Sequence, residues 1–173
     1  MKTYLQLNTS LHGSDSLSSR LASQFIATLA QADRSADAAE ATPSVTVRDL
    51  ANQPLPHLTG ERFTAFVTAP EQRTHEQADI AAESDALVGV TFRYTANGPE
   101  GLLVGKRAYV IATRGGRYAG TPGDLQSAYV RQFLGFIGIT DVEFVYAEGL
   151  AMGEASRNDA LAEAGKRIEQ LAA

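Results

Sequence analysis

Apolar residues follow two spacings along the chain, one typical of short β-strands and one typical of amphipathic helices. Short apolar or β-branched runs predict strands, and apolar residues at every third or fourth position predict helices. The predicted strands are Thr3–Leu7, Ser44–Arg48, Arg107–Thr113 and Val142–Tyr146. The predicted helices are one that starts near Leu17 and four over Glu61–Val67, Glu71–Val88, Asp124–Ile137 and Ser156–Leu171.

The helix that starts near Leu17 has an apolar face built from Leu17, Leu21, Phe25 and Leu29. Ser14, Asp15 and Ser16 are its N-cap candidates, because their short polar side chains can accept a hydrogen bond from a first-turn N–H group. The polar, Ala-rich run from Gln31 to Pro43 is expected to be a loop with a frayed helix end.

Three later segments carry more specific expectations. Arg107–Thr113 has a nearly continuous apolar centre, which is typical of a strand buried on both faces. Leu87–Tyr94 supports no firm assignment, because it begins like a helix end and finishes like an extended segment. Asn97–Gly101 is expected to be a turn or loop.

Phe133 and Phe136 suit the core face of the predicted helix Asp124–Ile137.

The order of these elements alternates between strand and helix. This alternation predicts an α/β fold in which helices cover both faces of a mostly parallel sheet. A length of 173 residues predicts a single domain, residues 1–173. Ligands of such sheets bind beyond the carboxyl ends of the strands, and two loops are expected there, Thr9–Ser18 and Thr113–Gly123.

Composition excludes several classes of protein. The chain has no cysteine, which removes disulfide frameworks, thiolate nucleophiles and Cys-ligated metals. Its three histidines lack metal-ligand spacing, so no metal site is expected. A net charge of −5 with scattered basic residues disfavours nucleic-acid binding. No apolar run reaches the roughly 18 residues of a membrane span and the first residues are too polar for a signal peptide, so a cytoplasmic location without membrane contact is expected.

The first loop is rich in hydroxyl groups at a predicted helix start, from Thr9, Ser10, Ser14, Ser16, Ser18 and Ser19. First-turn N–H groups and the helix dipole favour an anion there, so the loop is a candidate phosphate cradle. From this loop alone, a well-capped helix behind a polar turn is the favoured interpretation over a phosphate site. A phosphoester hydrolase is a further alternative, but the sequence offers it neither a base, nor a GxSxG elbow, nor a metal site.

The second loop begins with Thr113, Arg114, Gly115 and Gly116. Two successive glycines let a backbone approach a flat ligand closely, although Gly-Gly more often marks a simple turn. Aromatic residues could form a wall against a planar ligand, namely Phe92, Tyr94, Tyr118, Phe133 and Phe136. The residues by themselves leave these alternatives open.

Nearly the whole chain resembles the FMN-dependent NADH:azoreductase family of flavodoxin-like quinone and azo reductases. The matching stretches are Leu5–Ser18, Val47–Leu50 with Pro54 and Pro56, Gly89–Leu102, Thr113–Gly116, Leu134–Ile139 and Ala147–Gly149. The family often has Gln where Leu17 stands here. A long collinear match of this kind is far more specific than any of the short motifs.

The resemblance implies a flavodoxin-like, doubly wound parallel sheet and an FMN-dependent oxidoreductase. Electrons from NADH or NADPH would pass through the flavin to a quinone or azo substrate by a ping-pong mechanism, in a homodimer. The flavin, rather than a protein side chain, carries the chemistry. The implied flavin-binding residues are Ser10, Ser16, Leu17 and Ser18 at the phosphate and Thr113, Arg114, Gly115 and Gly116 at the ring edge. Tyr94 and Phe136 would wall the substrate pocket.

The chain departs from the family between Val88 and Gly89. The family has a strand–helix unit there, with a Pro-Met-Tyr-Asn-Phe signature that holds the flavin ring. In the flavodoxin-like strand order the strand of this unit is the third and central one, so its loss unpairs two strand edges. Either the natural polypeptide has residues here that the present sequence does not include, or it lacks them.

We favour the first explanation, because each buried backbone group left unpaired costs about 1 to 3 kcal/mol. A true deletion would require Leu87–Phe92 to replace the lost strand. It would also favour a rival function, that of a non-catalytic flavodoxin-like remnant or interaction protein unable to hold FMN.

Overall fold

The structure is a computed structural model that describes residues 2–36, 43–54, 57, 59–88, 91–96 and 98–172. The strands are β1 (Thr3–Asn8), β2 (Ser44–Asp49), β3 (Phe92–Thr95), β4 (Gly98–Gly101), β5 (Arg107–Thr113) and β6 (Asp141–Ala147). The helices are α1 (Leu17–Ala36), α2 (Gly60–Val67), α3 (His75–Val88), α4 (Leu125–Phe136) and α5 (Glu154–Ala172). Two short 3-10 turns cover Gly13–Asp15 and Pro70–Gln72.

All four predicted strands and all five predicted helices are confirmed, with two corrections around them. Gln31 to Ala36 continue α1, because Ala and other helix-compatible residues prolong it. Gly98–Gly101 is β4, not a turn, since it pairs antiparallel with β3. Residues 37–42, 89, 90 and 97, on which parts of the sequence predictions fall, lie outside the described residues.

The chain groups into two compact units. The first unit contains residues 1–54, 108–128 and 142–173, and the second contains residues 55–107 and 129–141. A single domain over residues 1–173 therefore stays a prediction. Among the described residues, none of the helices combines the length and the apolar character that a membrane span requires.

The core of the first unit lies where α1 and α5 meet β6. Its buried residues are Leu21, Phe25, Val145, Ala147, Ala164 and Ile168. Leu17, Leu29, Tyr109 and Ile111 pack against this cluster. The apolar spacing that predicted α1 and α5 thus matches the face that each helix buries, and full burial of one large aliphatic side chain contributes about 1.5 to 3 kcal/mol.

In the part of the chain that the structure describes, the strands pair as three two-stranded sheets. β1 pairs in parallel with β2, from Thr3 opposite Ser44 to Asn8 opposite Asp49. β5 pairs with β6, and β3 pairs with β4. The parallel pairing of β1 with β2 agrees with the predicted parallel sheet, and the described residues show no pairing between the three two-stranded sheets.

Burial in β5 differs from its sequence prediction. Only Ala112 of this strand is buried, although the apolar run predicted burial on both faces. On β1, Leu5 and Leu7 keep 60% and 50% of their surface exposed. The faces of a strand in a parallel sheet are covered by helices, and α1 packs on the face of β1 that carries Tyr4 and Gln6, opposite to Leu5 and Leu7.

The second unit is built from α2, α3, the β3–β4 hairpin and the end of α4. Arg73 fixes the end of α2 by donating from Nε to the carbonyls of Ala65 and Thr68, at 3.1 and 3.0 Å. A Cβ atom on Gly101 would collide with the backbone of Gly138, so this close approach requires glycine. Leu87 and Val88 end α3 and Phe92 belongs to the antiparallel hairpin, so neither end of Leu87–Phe92 forms the replacement parallel strand that a tolerated deletion requires.

Candidate functional site

The first candidate loop ends in a capped helix start. Ser16 is the N-cap of α1: its Oγ accepts from the Ser19 N–H at 3.3 Å, and its carbonyl accepts from the Arg20 N–H at 3.1 Å. Ser16 is only 4% exposed, and its Oγ lies 3.0 Å from the Ser18 Oγ. Of the three predicted cap candidates, Ser16 is the cap of α1.

This arrangement directs hydrogen-bond donors out of the helix start. The first N–H groups of a helix have no intrahelical carbonyl to bond. In α1 these include the N–H groups of Leu17 and Ser18. The Leu17 side chain packs against the core cluster, so only its backbone can serve a ligand. Together with the Ser16 and Ser18 hydroxyls and the positive end of the helix dipole, these N–H groups suit a phosphate.

Ser10 lies in the turn that leads into the cap. Its Oγ accepts from the His12 N–H at 3.3 Å, which leaves the hydroxyl hydrogen as a donor. Gly13 has a φ of +52° in this turn, a left-handed conformation that favours glycine. Ser10, Ser16 and Ser18 therefore lie in one segment that connects the end of β1 to the first turn of α1.

Gln6 connects this segment to β1, and the sequence analysis does not predict this role. Its side chain is buried between β1 and α1, with 5% exposure. Its Nε2 donates to the Ser19 carbonyl at 3.3 Å and to the Ser23 Oγ at 3.0 Å. Gln6 thus holds the start of α1 at a fixed position beyond the end of β1.

The second candidate loop is held by a buried ionic cluster around Arg114. Its Nη2 lies 2.8 Å from Asp124 Oδ1 and its Nη1 lies 2.8 Å from Glu148 Oε1. The Arg114 side chain is 8% exposed, and its guanidinium lies 5.2 Å from the centre of the Tyr146 ring. The Arg114 side chain is therefore engaged inside the protein, and only the backbone of this residue lines the loop.

The cluster shifts the protonation equilibria of its carboxylates. The hydrogen bond from Arg114 lowers the pKa of Asp124 to about 2. Burial by itself raises the pKa of Glu148, but hydrogen bonds from the Ala119 N–H and from Arg114 together hold it below its usual value. Both carboxylates are consequently charged at neutral pH.

Glu148 also braces the loop backbone. It accepts from the Tyr118 N–H at 3.0 Å and from the Ala119 N–H at 3.0 and 3.1 Å. One carboxylate thereby connects the end of β6, the Arg114 guanidinium and the far side of the loop. Sequence reasoning missed this role, because Glu148 entered only as part of a matching stretch.

The loop turns its carbonyls to one side. The Arg114 carbonyl accepts from the Leu150 N–H at 3.1 Å. The Gly115 carbonyl accepts from the Ala151 N–H at 3.1 Å, and the Gly116 carbonyl accepts from the Gly149 N–H at 2.9 Å. In a planar trans peptide the N–H points opposite to the C=O. The N–H groups of residues 115, 116 and 117 therefore point away from the 149–151 turn and form a row of donors for a ligand edge.

The two glycines also lie close to neighbouring side chains. A Cβ atom on Gly115 would lie 3.3 Å from the Ala151 Cβ, and one on Gly116 would lie 2.9 Å from the Tyr118 hydroxyl. A side chain larger than hydrogen at either position would therefore crowd Ala151 or Tyr118.

The predicted site residues fall in both units. Ser10, Ser16, Leu17 and Ser18 follow β1, and Thr113, Arg114, Gly115 and Gly116 end or follow β5, all within the first unit. Tyr94 is in β3 and Phe136 ends α4, both in the second unit. The core assignment of Phe133 and Phe136 is wrong, because they are 50% and 40% exposed. Their helix turns this face outward.

We expect Glu148→Gln to destabilise the protein by about 2 to 3 kcal/mol, because it leaves the buried Arg114 charge with one carboxylate fewer. The free energy of unfolding in urea measures this loss. Glu143→Gln is the matched control, since its pair with Arg167 has similar length but is about 40% exposed on each side. The control should lose less than about 1 kcal/mol. Equal losses in the two variants would show that the buried cluster around Arg114 stabilises the fold no more than an exposed ion pair does.

We expect the cluster to make the protein sensitive to acid. The folded-state pKa of Asp124 is about 2, below the value of about 3.9 in an unfolded chain. A lowered carboxyl pKa stabilises the fold above the unfolded pKa, and this contribution disappears as the pH falls from about 4 to about 2. Urea midpoints between pH 6 and pH 2.5 should decline steeply, and Asp124→Asn should flatten the decline. An unchanged slope in the variant would contradict the assignment.

Comparison with known proteins gives a family match along almost the entire chain. A family model described as "Flavodoxin-like fold" matches residues 2–88 and 86–172. An FMN-dependent NADH:quinone oxidoreductase of Paraburkholderia phymatum is 41% identical over 202 residues, with 97% of this chain and 98% of that protein covered. One of Dechloromonas aromatica is 40% identical over 203 residues, with 98% of each chain covered.

Solved structures agree on the fold. An azoreductase of Bacillus anthracis str. Sterne superposes with a TM-score of 0.80 at 21% identity and covers 99% of both chains. An FMN-dependent NADH-azoreductase of Bacillus anthracis str. Ames Ancestor, in complex with FMN, has a TM-score of 0.81 at 19% identity and covers 99% of this chain and 98% of that one. These similarities confirm the predicted α/β, flavodoxin-like fold class.

The comparisons also confirm the departure predicted near Val88. The alignment with the Paraburkholderia protein spans 202 positions but uses 97% of 173 residues, about 168, so about 34 positions have no counterpart here. The two family matches meet at residues 86–88, which places the break there. A strand, a helix and their connections need roughly 30 or more residues, so the difference has the size of one such unit.

Proposed function

Because the chain belongs to the flavodoxin-like fold family, we propose that it is an FMN-dependent NADH oxidoreductase that reduces quinones and azo compounds. The observation that carries this proposal is the pair of loops after β1 and β5, one suited to a phosphate and one presenting a row of N–H donors. The relatives named above support the same assignment, through FMN, NADH and quinone in their names and azo reduction in those of the structural neighbours.

The residues present fit the phosphate end of FMN. A phosphate has several acceptor oxygens, and the turn from Ser10 to Ser18 offers three hydroxyls and two first-turn N–H groups. Gln6 fixes this turn before any ligand arrives, so little ordering is needed on binding.

The loop after β5 fits the polar edge of the flavin ring. FMN, when bound, supplies the hydride-transfer chemistry. The N–H groups of residues 115, 116 and 117 would donate to the ring's carbonyl edge and favour negative charge there. Arg114 and Glu148 act as positioning residues, because they hold this row of donors in place without facing the ligand.

NADH would bring electrons to the flavin and leave before the quinone or azo substrate binds, which is a ping-pong mechanism. Tyr94 and Phe136 are our candidates for the wall of the substrate pocket.

Homodimer formation is supported by the exposed aromatic face of α4. Tyr129 is 68% exposed, Phe133 is 50% exposed and Phe136 is 40% exposed. The rings of Tyr129 and Phe133 stack with their centres 6.4 Å apart. Sedimentation should show a dimer. A cytoplasmic location completes the proposal.

The test of this function compares FMN with riboflavin, which lacks the phosphate. We expect FMN to bind the chain at least about 10-fold more tightly, a difference of about 1.4 kcal/mol that one charge-assisted hydrogen bond can supply. Quenching of flavin fluorescence measures both affinities. Equal affinities for FMN and riboflavin would contradict the proposal that the segment from Ser10 to Ser18 binds the phosphate.

A second candidate is a non-catalytic flavodoxin-like protein. It is favoured by the separate sheets and by the absence of about 34 family positions. This candidate requires that neither flavin binds at any concentration reached in the same titration.

A further inference from the structure

Asn8 ends β1 directly before the segment that leads to α1. Its backbone is fixed, because its carbonyl accepts from the Leu50 N–H at 2.9 Å and the residue pairs with Asp49 of β2. Its side chain lies on the same face of β1 as that of Gln6, since residues two apart in a strand point to the same side. Asn8 therefore presents a side-chain amide between the end of β1 and α1.

The contacts of Gln6 determine which way the Asn8 amide points. Gln6 Nε2 lies 3.3 Å from the Ser19 carbonyl, an oxygen that can only accept, so this end of the Gln6 amide must be the NH2 group. The same Nε2 lies 2.9 Å from the Asn8 side chain, which must present its acceptor, Oδ1. The Asn8 Nδ2 group consequently points away from Gln6.

The Nδ2 group of Asn8 has no hydrogen-bond partner among the residues that the structure describes. It is also accessible, because the one fully buried side-chain nitrogen or oxygen without a partner in the described ranges is the Arg48 Nε. An amide NH2 group carries two donor hydrogens. Asn8 thus offers its donors to a ligand from a fixed position.

These donors lie beside the first turn of α1. Gln6 Nε2, which donates to Asn8 Oδ1, also contacts the Ser19 carbonyl, so the Asn8 amide lies next to the start of this helix. The same turn holds the Ser16 and Ser18 hydroxyls, 3.0 Å apart. Asn8 and these hydroxyls therefore border the same end of α1.

The segment from Asn8 to Ser19 contains no lysine or arginine. A phosphate bound there is recognised by neutral donors, each of which forms a charge-assisted hydrogen bond that is stronger than a bond between neutral groups. A donor supplied by β1 therefore adds to the affinity for a phosphorylated ligand and leaves the affinity for an unphosphorylated one unchanged.

We propose that Asn8 is a further phosphate-binding residue, whose Nδ2 group donates to the phosphate and selects FMN over the unphosphorylated flavin. This role rests on the proposed function, since it adds a ligand contact to the same site. Gln6 is a positioning residue, because it fixes the Asn8 amide with the donor group outward.

Asn8→Asp tests this role, because aspartate keeps the oxygen that accepts from Gln6 and replaces the donor by a charged acceptor. We expect the variant to bind FMN at least about 10-fold more weakly and riboflavin within about 2-fold of the unaltered chain, as measured by quenching of flavin fluorescence. A general loss of stability would weaken the binding of both flavins equally.

Gln24→Glu is the matched control. It adds the same negative charge to α1 at an exposed position about two turns from the start of the helix. It should leave both affinities within about 2-fold, because solvent and salt screen a charge at that distance. Circular dichroism checks that both variants fold.

A second measurement uses the unaltered chain. In nitrogen-15-labelled protein, FMN should shift the nuclear magnetic resonance signals of the Asn8 side-chain NH2 group, whereas riboflavin, which has the same ring, should not. An Asn8→Asp chain that keeps the full preference for FMN, or NH2 signals that FMN leaves unchanged, would overturn the role of Asn8 and leave the proposed function intact. Equal binding of FMN and riboflavin by the unaltered chain would overturn both.

Discussion

A chain that carries the unmatched Paraburkholderia segment between Val88 and Gly89 should bind FMN at least about 100-fold more tightly than the present chain, a gain of about 2.7 kcal/mol. The inserted strand would join β1 to β5 and bring the flavin-holding signature that the family resemblance implies. Quenching of flavin fluorescence measures both affinities.

The control for this insertion is a Gly/Ser segment of the same length. It restores the chain length but cannot form a central strand, because glycine and serine lack the side chains that such a strand buries. It should leave FMN affinity unchanged. Equal affinity of the two inserted chains would show that the absence of this strand does not limit flavin binding.

Joint replacement of Ser16 and Ser18 by Ala should weaken FMN binding by about 2 to 4 kcal/mol, from about 30-fold to about 1,000-fold. The two lost hydroxyls each supply a charge-assisted hydrogen bond of roughly 1.5 to 3 kcal/mol, and such losses are not fully additive. Riboflavin binding should change little, because the cradle serves the phosphate. Titration of both flavins measures the difference.

Ser16 is also a helix cap, so its loss destabilises the fold by about 1 kcal/mol. Thr59→Ala is the matched control, because the Thr59 Oγ1 caps α2 by accepting from the Arg62 N–H at 3.2 Å. It should lower stability to a similar extent while leaving FMN affinity intact. Equal loss of FMN in both variants would assign the effect to stability alone.

Sequence reasoning succeeded where the signal is local. The presence of α1 and α5 follows from the spacing of Leu21, Phe25, Ala164 and Ile168, which belong to the observed core, whereas α1 runs on to Ala36 beyond its expected end. Ser16 was among the predicted caps because capping depends on neighbouring residues alone. The two loops were predicted for a similar reason, since each follows a strand with a clear apolar pattern.

It failed where distant parts of the chain decide the outcome. β4 contains two glycines and a proline, which disfavour a strand, and only pairing with β3 makes it one. Arg114 drew attention as a ligand-loop residue, but its partners Asp124 and Glu148 lie 10 and 34 residues away, and no short motif joins them. Phe133 and Phe136 have core-like spacing, yet this helix face is exposed.

The most direct test of the proposed function is anaerobic reduction of the FMN-saturated protein. NADH alone should bleach the flavin absorbance at about 450 nm, and quinone added after removal of the nicotinamide should restore it in stoichiometric amount. This sequence of two separate half-reactions is what a ping-pong FMN-dependent NADH oxidoreductase requires. A flavin band that NADH leaves unchanged would contradict the account.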